Sequence, residues 1–221
     1  MAQKTLILAT TNQDKLKELR PLFEAAEWPV LTLADFPEMP EAPETRDTFI
    51  GNAFQKVRFV HARLVEMGTP GMDDLVLVAD DAGLCVDMLG GGPGVRSKRF
   101  TVEGTDEANN TELLRRLQQI DDRAAHYTCA LAIAHNHYSR CIERSCQGSI
   151  GRVPRGSYGF AYDCLFTPRG SRLTLAEMDP AEKNKISHRG MAVQALLRII
   201  NIRYRNGRVG PAVVPRGCNA P

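Results

Sequence analysis

The stretch LVLVADDAGLCVDMLGGGPG, residues 75–94, contains the features from which the fold can be inferred. Its first five residues are all apolar, as in a strand buried on both faces of a sheet. Asp80 and Asp81 follow at once, and residues 90–94 then contain four glycines and one proline. A strand that is buried on both faces belongs to a sheet covered by helices on both sides. The stretch therefore predicts an α/β fold in which a buried strand carries two acids at its carboxyl end.

The flanking sequence alternates predicted strands and helices. Strands are expected over 5–9 and 28–33, and helices over 12–26, 44–67, 105–119 and 180–204. Residues 127–134 and 138–150 indicate an antiparallel pair around a polar tip. We expect an α/β fold with a central mixed sheet, in one domain over residues 1–204, where the hairpin forms a second lobe. Residues 205–221, rich in Gly and Pro, predict a flexible tail.

The composition argues against several classes of protein. The 28 basic and 26 acidic residues give a net charge of +2, so no overall field favours nucleic acid or a membrane surface. The apolar runs are shorter than the roughly 20 residues of a membrane helix, and the first residues lack the apolar core of a signal peptide. We therefore expect a cytoplasmic protein.

The six cysteines are scattered, without a C-x-x-C pair, so reduced thiols are expected. Cys129, His135, His137, Cys141 and Cys146 are residue types that bind zinc, but they lack the paired short spacings of a structural zinc site. Buried thiols and histidines at a hairpin tip are the favoured interpretation.

The segment TTNQDK, residues 10–15, follows the first predicted strand and opens the first predicted helix. Hydroxyl, amide and backbone N–H groups gather there at the positive end of the helix dipole, which suits an anion. Lys15 shares a helix face with Asn12 and can reach a phosphate held at the helix start. An ordinary N-cap with a solvated lysine is the commoner arrangement and is favoured on this segment alone.

The predicted long helix has an apolar face and a polar face. Glu44, Thr48, Asn52 and Lys56 recur every four residues on the polar face. Such a face is usually just solvated. Thr and Asn are poor helix formers, however, and are tolerated best where their side chains have a function.

The acids suggest a metal site. Ligands of open α/β sheets bind beyond the carboxyl ends of strands, so residues 10–15 and the Asp80–Asp81 pair form one site if their strands are neighbours. Adjacent carboxylates repel each other unless a cation intervenes. Together with Glu44 they suit Mg²⁺, which takes carboxylate oxygens along with waters and substrate phosphates.

The glycines of residues 90–94 predict a loop whose backbone approaches a ligand, although an ordinary mobile loop is equally compatible. They match neither a P-loop nor the G-x-G-x-x-G dinucleotide fingerprint.

Two later segments contain groups that suit a base. Residues 159–163, GFAYD, offer aromatic rings for stacking, and residues 182–190, EKNKISHRG, offer hydrogen-bonding and cationic groups. Each is weak alone, because a single histidine such as His188 is more often structural and Ser-His-Arg at a helix start can be simple capping.

Five segments nevertheless occur in the order and at the spacings of one enzyme family. They are TTNQDK, ETRDTFIGNAFQK, ADDAGLCVDMLGGGPGVRSKRF, PRGSYGFAYDCLF and AEMDPAEKNKISHRGMAV. Over residues 5 to about 198 the chain resembles the inosine/xanthosine triphosphate pyrophosphatases in their bacterial form, which act on non-canonical purine nucleotides.

That resemblance implies an elongated α/β protein whose central mixed, twisted sheet is split into two lobes around a nucleotide cleft, usually as a homodimer. It implies Mg²⁺-dependent cleavage of ITP, dITP or XTP between the α- and β-phosphates to the monophosphate and pyrophosphate. This reaction keeps deaminated purines out of DNA and RNA. The implied partners are a small nucleotide and a second copy of the chain, with no nucleic acid and no membrane.

The resemblance also implies roles for individual residues. The triphosphate would be bound by Thr10, Asn12, Lys15 and Lys56, with Ala82 beside it. Metal and water would be bound by Glu44, Asp80 and Asp81, of which Asp81 is the expected general base. Phe160 would stack on the base. The pocket for the edge of the base would be lined by Asp163, Ser187 and His188. Contacts with the base or the phosphates would come from Lys183 and Arg189. Adenine would be rejected because its amino group leaves the donors to a 6-keto oxygen unpaired.

The chain departs from the family pattern at several positions. Ala82 stands where a serine is usual, Ala161 where a glycine is usual, and Cys164 where a proline is usual. Residues 96–99, Arg-Ser-Lys-Arg, replace a usual Tyr-Ser-Ala-Arg. These changes bear on base specificity and on the conformation of the loop.

Three alternatives remain open. A septum-formation-type nucleotide pyrophosphatase shares the general fold but prefers other nucleotides, and the Ser187-His188-Arg189 motif argues against it. A nucleotide-binding regulator without catalysis is conceivable given Ala82 and Ala161. A nucleic-acid-binding module is the weakest option, because the basic tail lacks interleaved aromatic residues.

Overall fold

Six strands form one mixed sheet in the computed structural model, which describes residues 4–204. The strands are β1 (Thr5–Leu8), β2 (Val30–Thr32), β3 (Leu75–Val86), β4 (Ala124–His135), β5 (Tyr138–Ile150) and β6 (Phe166–Pro168), and their order is β2-β1-β3-β4-β5-β6. The β1 strand pairs in parallel with β2 and β3, whereas β3 to β6 pair antiparallel. The predicted tail, residues 205–221, lies outside the described residues.

Helices flank the sheet. They are α1 (Gln13–Glu24), α2 (Phe49–Glu66), α3 (Asp106–Arg116), α4 (Pro180–Ile186) and α5 (His188–Tyr204). The predicted α/β fold with a mixed sheet, and the hairpin of β4 and β5, are therefore confirmed. The predicted division into two lobes stays a prediction. None of the helices within residues 4–204 is long and apolar enough to cross a membrane.

The predicted end of the buried strand was wrong. The strand continues through Asp80 and Asp81 to Val86, because β4 pairs with it along this whole length, with Asp80 opposite Leu131 and Asp81 opposite Ala130. The apolar run stops at residue 79, but the backbone ladder does not depend on apolar side chains. Both acids consequently lie inside a strand, and successive side chains of a strand point to opposite faces.

The predicted helix over 44–67 also begins later than expected. The α2 helix starts at Phe49, where the Thr48 side chain caps it by accepting the Gly51 N–H at 3.0 Å. Glu44 therefore lies in the preceding loop and not on the helical stripe with Lys56. The capping hydroxyl takes the place of a backbone acceptor and so marks where the helix begins. The four-residue spacing of the polar residues does not reveal that position.

The predicted single helix over 180–204 is two helices. Ser187 is extended, with φ −69° and ψ 153°, and separates α4 from α5. Its hydroxyl accepts the Gly190 N–H at 3.1 Å at the start of α5. The break leaves the N-terminal turn of α5 free to present His188 and Arg189 to the sheet.

The core is divided between the two faces of the sheet. One cluster packs α1 and α5 against residues such as Leu8 and Val78, and the other packs α2 against Ile7 and Leu77. A third cluster surrounds the far ends of β3 and β4 and contains Tyr162. These alternating faces follow from the two-residue period of the strands.

The β1 and β3 strands are neighbours in the sheet, which was the condition for residues 10–15 and the two aspartates to form one site. Leu8 is in register with Val78, and Ala9 N–H still donates to the Val78 carbonyl at 2.8 Å. The β1 strand ends there while β3 runs on, so the chain turns into α1 beside Asp80 and Asp81. The carboxyl end of β1 and the middle of β3 thus form one edge of an opening.

Candidate active site

A cavity of about 340 Å³ opens between the start of α1, the middle of β3 and the loop around Phe160. Most of the predicted site residues line it. They are Thr10, Asn12, Lys15, Glu44, Lys56, Asp81, Ala82, Phe160, Asp163, His188 and Arg189. Residues predicted from five separate segments are therefore brought together by the fold.

Three predicted site residues are not part of this lining. Asp80 is buried with its carboxylate on the other face of β3, Ser187 is fully buried in the turn before α5, and Lys183 lines a neighbouring cavity of about 190 Å³. Phe160 lines both cavities. Phe160 therefore borders both spaces, and Lys183 lines only the smaller one.

The start of α1 is a well-formed cap. Asn12 Oδ1 accepts the backbone N–H groups of Asp14 and Lys15 at 3.0 and 3.1 Å, and Thr10 Oγ1 accepts the Asn12 N–H at 3.2 Å. The ordinary capping role of Asn12 is thus present in the structure. A role of Thr10 and Asn12 in binding phosphate stays a prediction.

Lys56 links the acids at the base of the cavity. Its Nζ donates to Glu44 Oε1 at 2.7 Å, to Asp81 Oδ1 at 3.1 Å and to the Asp80 carbonyl oxygen at 2.7 Å. Asn52 Nδ2 donates to the other oxygen of Asp81 at 3.1 Å. Glu44 reaches this cluster from the loop before α2. It was predicted as a site residue, but it was expected on the helix and not in the loop.

The two acids of this cluster have opposite pKa shifts. Burial raises the pKa of Asp81, the nearby Lys56 and Lys15 lower it, and Glu44 and Asp80 raise it again, with a net result above the usual value. Burial also raises the pKa of Glu44, but Lys56 outweighs it and the net shift is downward. A carboxylate with a raised pKa in a cavity is suited to accept a proton.

Asp80 belongs to a different ion cluster. On the opposite face of β3, its carboxylate pairs with Lys15 and accepts from Arg189 Nε at 3.2 Å, and Cys129 Sγ donates to it at 3.2 Å. Burial would raise the pKa of Asp80, but Lys15 and Arg189 together hold it well below its usual range. Of the three predicted metal-binding acids, only Glu44 and Asp81 share a cation through their carboxylates, because Lys56 contacts Asp80 at its backbone carbonyl oxygen.

Glu18 is a member of the site that the sequence analysis missed. Its carboxylate binds Arg189 through one oxygen and Lys183 through the other, and it is largely buried. Burial would raise the pKa of Glu18, but the two cations outweigh it and lower the net value. Glu18 follows Lys15 by three residues, so the helical period that placed Lys15 on the site face could also have found Glu18.

The Phe160 loop is fixed to this cluster by Asp163. Asp163 Oδ2 accepts the Phe160 N–H at 2.9 Å and pairs with Lys183 Nζ. A Cβ on Gly159 would lie 2.2 Å from Asp163 Oδ2, so only glycine fits there. Lys183 and Arg189 each lie 5.6 Å from the centre of the Phe160 ring. Both cations bind the same Glu18 carboxylate, so they lie near each other beside the ring, whose π face attracts them.

The glycines of residues 90–94 do not line the cavity. Gly90, Gly91 and Gly94 have positive φ and build turns that return the chain to β3, where Val86 N–H donates to the Gly92 carbonyl at 2.9 Å. The following residues, 95 and 97–99, line the cavity instead. The predicted close approach of these glycines to a ligand was wrong, because they shape the turn that delivers the next segment.

His188 is stacked on Tyr127, a second residue that the sequence analysis did not assign to the site. The rings are 4.5 Å apart and nearly parallel, at 5°. His188 Nδ1 is buried without a hydrogen-bond partner among the described residues. Burial, followed by Arg189, holds the pKa of His188 well below its usual range. The imidazole is therefore neutral in the folded protein.

This neutral histidine predicts a pH-dependent stability. The unfolded chain takes up a proton at His188 as the pH falls below about 6.5 and the folded protein does not, so the free energy of unfolding should decrease there. The His188→Asn variant lacks this titration and should lose less stability between about pH 7 and pH 5. Denaturant unfolding of both proteins at several pH values measures the difference. Parallel curves for the two proteins would contradict the prediction.

Comparisons with known proteins agree with one another. A model of the Ham1 family matches residues 6–199. The chain is 39% identical over 197 residues to a dITP/XTP pyrophosphatase of Geobacillus kaustophilus, covering 87% of this chain and 92% of that protein. It is 41% identical over 201 residues to a dITP/XTP pyrophosphatase of Streptomyces coelicolor, covering 88% and 96%.

Solved structures show the same likeness. A HAM1 protein from Coxiella burnetii has a TM-score of 0.79 at 32% identity, covering 90% of this chain and all of that chain. A nucleoside-triphosphatase, or dITP/XTP pyrophosphatase, from Mycobacterium abscessus has a TM-score of 0.67 at 39% identity, covering 87% and 98%.

Proposed function

This chain belongs to the Ham1 family, and from that premise we propose that it hydrolyses ITP, dITP and XTP to the monophosphate and pyrophosphate. The family resemblance inferred from the five motifs is confirmed. The carrying observation is that one cavity is lined by lysines, a carboxylate with a raised pKa and an aromatic ring. Those are the groups that a nucleoside triphosphate and an attacking water require.

The donor set supports Mg²⁺ as the cofactor. Glu44 and Asp81 are oxygen donors that line the same cavity and already share one cation, the ammonium of Lys56. Within residues 4–204 no cluster of three or more Asp, Glu, His or Cys side chains is arranged to hold a metal. A magnesium ion held by two carboxylates completes its coordination with waters and substrate phosphates. When bound, the ion supplies neutralisation of charge on the phosphates.

The cations of the cavity would bind the triphosphate. Lys15 stands in the first turn of α1, where the helix dipole favours an anion, although Asn12 Oδ1 already accepts the N–H groups of Asp14 and Lys15. Lys56 already donates to Glu44, Asp81 and the Asp80 carbonyl oxygen, so its positive charge would attract the phosphates and one of these hydrogen bonds would be exchanged for a direct contact with a phosphate oxygen. Charge that develops on the phosphates is then met by groups that are already oriented.

Asp81 is the proposed general base. Its two oxygens are fixed by Lys56 and Asn52, so the carboxylate is oriented before a substrate binds. Its raised pKa makes it a better proton acceptor than an exposed aspartate. In this role Asp81 would take a proton from the water that attacks one phosphorus of the α–β anhydride; the P–O bond from that phosphorus to the bridging oxygen breaks, which releases the monophosphate and pyrophosphate.

The base would stack on Phe160. Asp163, His188 and Arg189 line the same cavity, while Lys183 and Ser187 lie behind it, in the Glu18 cluster and in the turn before α5. A 6-keto purine presents an acceptor oxygen at position 6 to the donors of the site. Adenine presents an amino group at that position, which donates and leaves those donors without an acceptor. Selection against adenine follows because unpaired buried donors are costly.

Further predictions about the whole protein remain part of the proposal. We propose a homodimer whose protomers each carry one two-lobed nucleotide site, working in the cytoplasm, where the nucleotide pool is found. Neither nucleic acid nor a membrane is among the proposed partners.

One assay tests the reaction. The protein is incubated with ITP, XTP, dATP and dUTP, with and without Mg²⁺, and the phosphate products are identified. Pyrophosphate from ITP and XTP, dependent on Mg²⁺, is expected. Orthophosphate as the first product, or no product from any purine, would contradict the proposal. Preference for dUTP would favour a septum-formation-type pyrophosphatase, and binding without turnover would favour a regulator.

A further inference from the structure

The loop that contains Phe160 has little regular backbone structure. Residues 151–165 form turns and bends instead of a helix or a strand. Ala161, the next residue after Phe160, has φ of 55°. Alanine is disfavoured at positive φ, because its Cβ approaches the backbone too closely. Contacts from outside the loop must therefore hold this segment in place.

Helix α3 supplies two such contacts. Asp106 Oδ2 accepts the Ala161 N–H at 2.6 Å, and Asn110 Nδ2 donates to the Ala161 carbonyl oxygen at 2.9 Å. Asp106 and Asn110 are four residues apart and so project from one face of the helix. Both backbone polar groups of Ala161 are thus bonded to side chains of α3, a helix that contains none of the predicted site residues.

Asn110 donates to Ala161 through its amide nitrogen, while its amide oxygen has no hydrogen-bond partner among the described residues. Its Oδ1 is buried without a hydrogen-bond partner among the described residues, whereas Nδ2 reaches both Ala161 and, at 3.5 Å, Cys164 Sγ. A buried acceptor without a partner destabilises the fold. Such a side chain is expected where its other half has a function, which here is to hold the loop.

Asp106 also faces the cavity. It lines the larger cavity, and its Oδ1 lies 3.3 Å from Lys98 Nζ in the segment that follows the glycine turn. This pair is largely exposed, so we assign it little energy. The hydrogen bond to Ala161 is shorter, at 2.6 Å, and is partly buried, whereas the contact with Lys98 is exposed to solvent. Asp106 is therefore placed to act on the Phe160 loop.

We propose that Asp106 and Asn110 are positioning residues that hold Ala161 so that Phe160 presents its ring to the base of the substrate. Phe160 lines both cavities, so a shift of the adjacent Ala161 backbone would move Phe160 relative to both. The inference rests on the proposed function for the identity of the ligand. It predicts that α3 controls affinity for the base and leaves affinity for the phosphates unchanged.

Three variants separate the roles of Asp106. D106A removes the acceptor for the Ala161 N–H, while D106N keeps an acceptor oxygen and removes only the charge that pairs with Lys98. E107A is the matched control, because Glu107 is an exposed acid in the same first turn of α3. Of these three variants, we expect only D106A to change loop exchange and the KM for ITP by more than about threefold.

The first measurement is independent of the function. Hydrogen–deuterium exchange is followed in peptides that cover residues 158–164. Exchange should be at least about tenfold faster in D106A than in the wild type, and unchanged in D106N and E107A. Wild-type exchange in D106A would overturn the inference. The same measurement on N110A, which removes the other contact, should also show faster exchange.

The second measurement separates the base from the phosphates. In D106A the KM for ITP should rise about tenfold or more with kcat within about threefold, and inhibition by inorganic tripolyphosphate should stay within about twofold. An equal loss for ITP and for tripolyphosphate would overturn the positioning role in favour of general damage. A wild-type protein that does not hydrolyse ITP would overturn the proposed function, while the exchange result would still decide whether Asp106 holds Ala161.

Discussion

Replacing Asp81 with asparagine is expected to lower kcat for ITP hydrolysis by about 10²–10⁴-fold, because the general base is removed. Asparagine has nearly the same shape and keeps one acceptor oxygen for Lys56 or Asn52, so the cluster should still fold. Steady-state kinetics with pyrophosphate detection measure the effect. The KM should change much less than kcat if Asp81 acts mainly in the transition state.

The matched control is Asp87→Asn. Asp87 follows the same strand, but its side chain is 57% exposed, so the same change of charge should leave kcat within about twofold. Thermal unfolding of both variants checks that each is folded. Activity of folded Asp81→Asn within a few fold of the wild type would assign the base to another group.

Replacing Arg189 with methionine is expected to lower the free energy of unfolding by about 3–5 kcal/mol. The guanidinium is 3% exposed and binds Asp80 and Glu18, two carboxylates that are buried with it. Lys15 and Lys183 remain beside these acids, which places the expected loss towards the lower end of the range. Urea unfolding at neutral pH gives the free energy directly.

Arg198→Met is the control for this substitution. Arg198 lies on the same helix, α5, but is exposed, so its replacement should change the free energy of unfolding by no more than about 0.5 kcal/mol. Equal stability of the two variants would mean that the buried cluster contributes little to the fold. Adding Glu18→Gln to Arg189→Met should recover part of the loss, because one uncompensated carboxylate is then removed.

The element types were largely predictable because they depend on local patterns. The apolar run at residues 75–79, the period of α1 and the polar hairpin tip each predicted an element that the structure contains. The boundaries were less predictable. Two boundaries depend on single hydrogen bonds, one at the Thr48 cap of α2 and one at the extended Ser187. The spacing of apolar residues does not reveal single hydrogen bonds.

The site was predictable where its residues occur in recognisable motifs. Lys15, Glu44, Lys56 and Asp81 line one cavity, as expected from their motifs. Tyr127 and Asp106 could not be found in this way, because their contacts with the site are with the distant residues His188 and Ala161, whereas the helical period from Lys15 could have found Glu18. No local pattern specifies which distant segment packs against a given helix or strand.

The sequence alone determined the classes of element, their order and the chemical groups available for binding a nucleotide. Those properties follow from apolar spacing and from side-chain chemistry, which act between near neighbours. Only the tertiary structure decided which of these groups contact each other. Pairing with β4 extends β3 through both aspartates, which turns Asp81 towards Lys56 and Asp80 towards Arg189. Adjacent residues of a strand face opposite sides, so two like charges that repel in the sequence are separated by the sheet.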